Sequence, residues 1–338
     1  MESILLLAHT EPAGWLAKPA LEALAAAKGL GGELTVGLAG AETQAAANQI
    51  AACGAARFLA VTGEAFAEAR YSTDAAAAEA LCRAARAPIV LAPSTSRWAR
   101  ALPGVAYRMG GRVDTHATNI AAAGGGPLVT RWFYRQRMEA TLTRGVRPWV
   151  VLLDAGCFPA WSGAAGAASV EAVAVEAPAT RTTVTGFEAP QTDEQTIRPD
   201  AKLLFVAGAG WTKKQADGAT HVAEAESLIL GFLRAAKASL GGSKSLVDLS
   251  GEGEAVLRFM THMNQIGQTG ATPRHPKGLS TCCHGEEPHV VGWRFVTERR
   301  AINLDPNCGW ARGKADVLYV ADAFEVMRHV NRLLSAQG

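Results

Sequence analysis

Between Ile4 and Ala92 the chain alternates short apolar runs with alanine-rich stretches of helical character, and this rhythm constrains the fold more than any other feature. The runs at Ile4 to Ala8, Leu34 to Leu38, Phe58 to Val61 and Ile89 to Ala92 have strand length. Helices are expected near Pro19 to Lys28, from about Thr43 to Cys53 and near Asp74 to Arg86. Strands and helices in strict alternation, each too short to span more than one layer, predict a parallel sheet covered on both faces. After about Val113 the rhythm changes to strand-like runs broken by glycine, proline or charge: Pro127 to Phe133, Ala140 to Thr143, Pro148 to Leu153, Glu171 to Val175 and Thr182 to Phe187. These predict a mixed or antiparallel extension of the same sheet.

A first domain over residues 1–187 follows from this pattern. Residues 188–200 (EAPQTDEQTIRPD) are polar, punctuated by proline and without apolar periodicity, which is linker composition. A second α/β domain is expected over 201–338. It opens with a strand at Lys202 to Ala207, a Gly208-Ala209-Gly210 turn and a helix from about Ala219 to Lys237. Further strands are expected at Leu246 to Leu249, Arg300 to Asn303 and Val317 to Val320, before a closing helix from about Asp322 to Leu334.

The composition narrows the function. At 338 residues, 49% hydrophobic and 19% charged, the chain can bury two sizeable cores. A formal charge of +2 gives no field that would draw it to nucleic acid or an anionic membrane. The first apolar run is strand-sized and Met1-Glu2-Ser3 has no basic region, so a cytoplasmic protein without membrane insertion is expected. Cysteines at 53, 82, 157, 282, 283 and 308 show neither a disulfide framework nor a C-x-x-C pair, so reduced thiols are expected.

Several clusters have the residue types for chemistry. The strand and glycine turn at Leu203 to Gly210 would offer backbone N–H groups to a phosphate, or would simply be a tight βα turn. The run Gln265-Ile266-Gly267-Gln268-Thr269-Gly270 combines glycines that admit close backbone approach with an amide and a hydroxyl; a polar turn is the bland alternative. Thr281-Cys282-Cys283-His284-Gly285-Glu286-Glu287-Pro288-His289, with Cys308 downstream, gathers soft ligands. Adjacent cysteines rarely both bind one tetrahedral ion, so no metal site is assigned. Arg97-Trp98-Ala99-Arg100 and Arg131-Trp132-Phe133-Tyr134-Arg135 would stack on bases or flavin or form part of a protein interface, which the charge favours over nucleic acid; solvated charges flanking core aromatics are the bland alternative. No Ser-His-Asp order, P-loop or HExxH occurs, so no catalytic residue is assigned.

Taken together, these segments resemble the α subunit of the electron-transfer flavoproteins, as a divergent member. The resemblance rests on ILLLAHTEPAGWLAKPALEALAAAKGLGGELTVGLAG and LAPSTSRWARALPGVAYRMGGRVDTHATNI in the first domain. In the second, RPDAKLLFVAGAG, GGSKSLVD, QIGQTG, AINLDPN and YVADAF follow in the family's order. The family's flavin loop S-G-A-I-Q-H falls on His284 to His289, keeping Gly285 and His289. Its ASRAAVD segment falls on Gly242 to Asp248, with Ser243 and Lys244 in the Ser-Arg places.

The resemblance implies an adenine-nucleotide-hydrolase-like parallel-sheet domain followed by a Rossmann-like FAD-binding domain. It implies FAD as cofactor, a β-type subunit as partner in a heterodimer, and a dehydrogenase as electron donor, for instance one that demethylates amines. The flavin contacts it carries over are Ser243, Lys244, Gly267, Gln268, Thr269, His284, Gly285, Glu286, His289, Asn303, Asp322 and Ala323. Gln268 and Thr269 would bond the ring edge near N5, and His289 would place positive charge beside N1 and O2. Asn303, Asp322 and Ser243 would suit ribityl, ribose, adenine or phosphate contacts. Two departures stand out. The family's S-G-G-R-G reads Ala207-Gly208-Ala209-Gly210-Trp211, which replaces its arginine by Gly210, with Lys213, Lys214 or Arg274 as candidates to restore the charge. Glu286 and Glu287 also bring carboxylates where the family has Ala-Ile, which disfavours an anionic ligand. A docking subunit with a degenerate flavin site is therefore the alternative.

Overall fold

The computed structural model describes residues 2–124, 126–133, 138–186, 198, 201–248, 256–261, 264–266, 275–281, 296–307 and 315–336, with the backbone alone at 244 and 248. The chain divides into two compact units, Met1–Phe187 and Glu188–Gly338.

The first unit runs β1 (Ile4–His9), α1 (Lys18–Gly29), β2 (Leu34–Gly40), α2 (Gln44–Gln49), β3 (Arg57–Thr62), α3 (Tyr71–Ala85), β4 (Ile89–Pro93) and α4 (Ser96–Arg108). It continues through β5 (Arg112–Ala123), β6 (Gly126–Phe133), β7 (Met138–Leu142), β8 (Trp149–Leu153) and β9 (Val170–Ala172). Among the described residues these strands form one sheet in the order β7-β6-β5-β8-β4-β1-β2-β3-β9. Strands β5, β8, β4, β1, β2, β3 and β9 pair in parallel, and β6 and β7 extend the sheet antiparallel from β5.

The period-2 geometry of a strand explains why these runs are apolar throughout. Ile4, Leu6 and Ala8 enter the core beneath α1, whereas Leu5 and Leu7 enter the opposite core with α3 and α4. Alanine-rich helices let the layers approach closely: a Cβ built on Gly37 of β2 would lie 3.1 Å from Leu7 and 3.5 Å from Leu81 of α3. The expected strand at Thr182 to Phe187 is not formed over 182–186, which are irregular and mostly exposed. Its β-branched residues offer no apolar face to bury, and propensity alone does not make a strand.

The second unit contains β10 (Leu203–Ala207), α5 (Val222–Ala236), β11 (Ser239–Gly242), α6 (Lys244–Asp248), β12 (His275–Thr281), β13 (Val296–Asn303), β14 (Val317–Val320) and α7 (Ala323–Ser335). Its described strands are all parallel, in the order β11-β10-β12-β13-β14. Phe205 and Ala207 face α5 and α7, while Leu204 and Val206 pack with Ile266, Val296 and Ala301 on the other side.

Leu246 to Leu249 was expected as a strand, but 244–248 form α6; the strand is the preceding Ser239–Gly242. A side chain on Gly241 would collide with the packing beneath it, because a Cβ there would lie 2.5 Å from Ile266 Cγ2. Strand β12 was not anticipated, because Pro276 and Gly278 disguise it as a loop.

Candidate functional site

The second sheet places its first strand in sequence, β10, between the second and the third, so the chain reverses its direction of travel across the sheet at the β10/β12 boundary. In an open parallel sheet, ligands bind outside the carboxyl ends of the strands at such a reversal. The register aligns those ends: Ala207 lies opposite both Gly242 and Thr281, Thr281 opposite Ile302, and Asn303 opposite Val320.

Four of the expected contacts meet along this rim. Ser243 follows β11 directly; its hydroxyl accepts a hydrogen bond from Leu246 N at 3.3 Å, and its own N–H donates to Ala207 O at 2.9 Å. Asn303 ends β13, and its Oδ1 accepts from Asp305 N at 3.0 Å. Asp322 caps α7, with Oδ1 accepting from Glu325 N at 2.9 Å. Ala323 opens that helix and is buried. Asn303, Asp322 and Ala323 line one narrow crevice together with Gln215 and Leu304. Lys244 begins α6 beside Ser243. Gly267, Gln268, Thr269, His284, Gly285, Glu286 and His289 lie outside the described residues, as do Glu287, Arg274, Cys282, Cys283 and Cys308. Among the described residues no group of three metal-ligating side chains occurs.

The turn after β10 is shaped by an indole. Residues 209–211 form one 3₁₀ turn, and Trp211 is fully buried, its Nε1 donating to Thr281 Oγ1 at 2.8 Å and its ring 4.6 Å from that of Phe324. The departure from the family's S-G-G-R-G thus exchanges a charged side chain for a core aromatic one place later. Lys213 and Lys214 are exposed shortly after it.

Sequence reasoning missed how the neighbouring segment is held. Arg258 binds Glu226 of α5 through Nη2 at 2.7 Å and through its own N–H at 2.7 Å; these bonds, the Arg258 side chain's first, hold the Glu226 carboxyl below its ordinary range. Asn264 Oδ1 accepts from Thr261 N at 3.0 Å. Gln265 is thereby bridged to Gly242, and Ile266 N donates to Gly242 O at 3.2 Å. Gln265 is 2% exposed, and among the described residues neither its Nε2 nor its Oε1 has a partner.

In the first unit the polar clusters turn inward. Arg97, expected at an interface, is instead buried: its Nε donates to Asp74 Oδ1 at 2.8 Å and its Nη2 to Phe66 O at 2.5 Å, and Trp98 is wholly enclosed. Arg131 donates to the buried Asp114 at 2.8 Å and stacks on Phe133, its guanidinium carbon 4.4 Å from the ring centroid. A cavity of about 610 Å³ opens at the amino ends of β1 and β4, lined in part by Glu2, Ile4, Ile89 and Arg147. It holds none of the expected site residues and lies at the wrong strand ends for the ligand rule above.

Comparison with known families decides the affiliation: the electron transfer flavoprotein domain matches residues 4–180. The chain belongs to that family. The matched segment is the nine-stranded sheet with its helices, all within the first unit. No curated protein matches the chain. Among the described residues no helix is long and apolar enough to cross a membrane.

The carboxyl rim of the second unit suits a flavin dinucleotide in its donor set. It offers a hydroxyl, amides, a carboxylate at a helix cap and backbone N–H groups, and the unpartnered amide of Gln265 adds a donor and an acceptor.

Proposed function

We propose that this member of the electron transfer flavoprotein family is an α-type subunit that holds FAD in residues 201–338 and relays electrons between a dehydrogenase and an acceptor. Residues 1–187 would dock a β-type partner to form a heterodimer in the cytoplasm. The observation that carries the reading is the row of ligand-type residues along one rim of the second sheet. From Gln265, bridged to β11, to Asp322 after β14, the row crosses five strand spacings. At ~4.8 Å each that is about 24 Å, the scale of an extended dinucleotide and not of a single nucleotide.

Bound flavin would supply the capacity to accept and pass on single electrons. The chain's residues would hold it. Ser243 and the N–H groups at the strand ends would approach the phosphates, and Asn303 and Asp322 a ribose or the adenine. Gln268, Thr269 and His289 would meet the ring, with Lys244, Gly267, His284, Gly285, Glu286 and Ala323 completing the surroundings. An amine-demethylating dehydrogenase fits as a dedicated donor. The second reading, a docking subunit with a degenerate flavin site, is favoured by Trp211 standing in the core next to the place of the family's arginine. An absorbance spectrum of the chain co-expressed with its β-type partner, followed by release and identification of flavin, separates the two. The relay predicts FAD near one equivalent per α chain; a colourless complex that takes up no added FAD leaves the docking subunit.

A further inference from the structure

The cavity of about 610 Å³ at the amino ends of β1 and β4 is space that the first unit does not fill with its own side chains. Its size falls within the roughly 300–1,000 Å³ of small-molecule sites, whereas protein interiors otherwise pack almost without voids. Ile4, Leu30, Ile89 and Pro127 give it apolar walls, and Glu2 and Arg147 bring charge to it. The charged pair is fixed in place. Arg147 Nε donates to Glu2 Oε1 at 2.6 Å and Nη2 to Oε2 at 2.8 Å, while Nη1 donates to Arg144 O and, at 3.2 Å, to Val146 O. The bond from Arg147 holds the Glu2 carboxyl below its ordinary range, against the opposing effect of burial, so both groups are ionised at neutral pH and the pair carries no net charge. Among the described residues one N–H of Nη2 and the outer lone pair of Oε2 remain unused. Gly126 stands in front of these two atoms. A Cβ there would lie 3.8 Å from each, and its φ of +115° strains any residue with a side chain, so the edge stays open. The Glu2 side chain is 35% exposed and that of Arg147 24%, so a ligand can reach both.

We infer that this cavity binds an uncharged amphipathic small molecule whose planar amide meets Glu2 and Arg147 and whose apolar body lies against Ile4, Leu30, Ile89 and Pro127. A donor beside an acceptor is matched by a carbonyl beside an N–H: Arg147 Nη2 donates to the amide oxygen, and Glu2 Oε2 accepts from the amide nitrogen. A carboxylate would gain the first bond and meet the repulsion of Glu2. A cation would gain the second and meet that of Arg147. The neutral head group therefore fits the neutral pair best. The site shares no residue with the carboxyl rim of the second unit.

The test compares 2-naphthamide, 2-naphthoate and 2-naphthamidine, which share one apolar ring system and differ in the head group. Each is titrated by ligand-observed NMR into the full chain with its partner, with FAD in excess to keep the probes from the second rim. The amide should bind about tenfold more tightly than either ion. Ala123→Trp, at an exposed position on the cavity wall, should abolish its binding. Glu2→Gln leaves the guanidinium without its counter-charge and should reverse the order, making the naphthoate the tightest of the three. Equal affinity for all three in the wild type, amide binding that survives Ala123→Trp, an unchanged order in Glu2→Gln, or no binding of the amide at about 1 mM overturns the assignment.

Discussion

In the first unit the polar side chains at the carboxyl ends of the strands face one another. His9 Nε2 is 3.2 Å from Thr95 Oγ1, Thr43 Oγ1 is 2.7 Å from Thr62 Oγ1, and His116 Nδ1 is 3.5 Å from Asp154 Oδ1. Trp98 Nε1, Arg70 Nε and Asp74 Oδ2 are buried without a hydrogen-bond partner among the described residues. In the second unit the corresponding rim holds Ser243, Asn303 and Asp322 in local bonds to Leu246, Asp305 and Glu325, and among the described residues the Gln265 amide has no partner. Two doubly wound sheets thus differ in where their polar capacity goes. The proposed function gives the second rim to a ligand, and the family match covers only the first unit.

The buried charges of the first unit offer the strongest way to break this contrast. Burial pushes the Asp114 carboxyl upward, but Arg144, Arg131 and the Trp149 indole outweigh it and hold the group below its ordinary range. Asp74 shows the reverse balance: burial wins over Arg97 and Arg100, and its carboxyl is raised. Asp114→Asn should therefore destabilise the first unit by roughly 3 kcal/mol, with some relief because Arg144 reaches solvent. Chemical denaturation checks this. Flavin uptake should survive under native conditions, and its loss would show that the units are not energetically separate.

A smaller effect is expected from His9, pushed down to about 4 by burial and then by Arg97. A depressed histidine is neutral when folded and protonates first when unfolded. Its stabilisation is therefore complete above pH 6.5 and is lost as the pH falls toward 4. The loss between pH 7 and pH 5 should be about 2 kcal/mol, and His9→Asn should flatten that part of the stability–pH curve. His116 has the opposite sign, because its bond to Asp154 raises it; its contribution is present at low pH and fades as the pH rises through its folded value. Being half exposed, it should matter least, and His116→Ala should change stability by only a few tenths of a kcal/mol.

How far the sequence could be read follows the same division. In β1 to β4 and β8 of the first unit apolar runs and strands coincide because these strands are buried on both faces, and the helices betray themselves by alanine. In the second, β11 is half glycine and β12 carries Pro276 and Gly278, so neighbours, not composition, make them strands. Ser243, Asn303 and Asp322, expected from the resemblance, fall on one rim. Arg97 and Trp98 were misread, because a basic-aromatic cluster looks alike at an interface and around a buried ion pair. Gln265 opened a quoted motif but had no signal of its own; only enclosure without a partner marks it.

In the proposed function the carboxyl rim of the second unit, and not that of the first, takes up the dinucleotide. Hydrogen exchange of the flavin-stripped complex with and without added FAD tests it most directly. The account predicts slowed exchange at Gly208, Ser243, Ile266, Leu304 and Ala323, with Thr10, Gly40 and Ser94 unchanged. Protection confined to the first rim, or none on either, would contradict it.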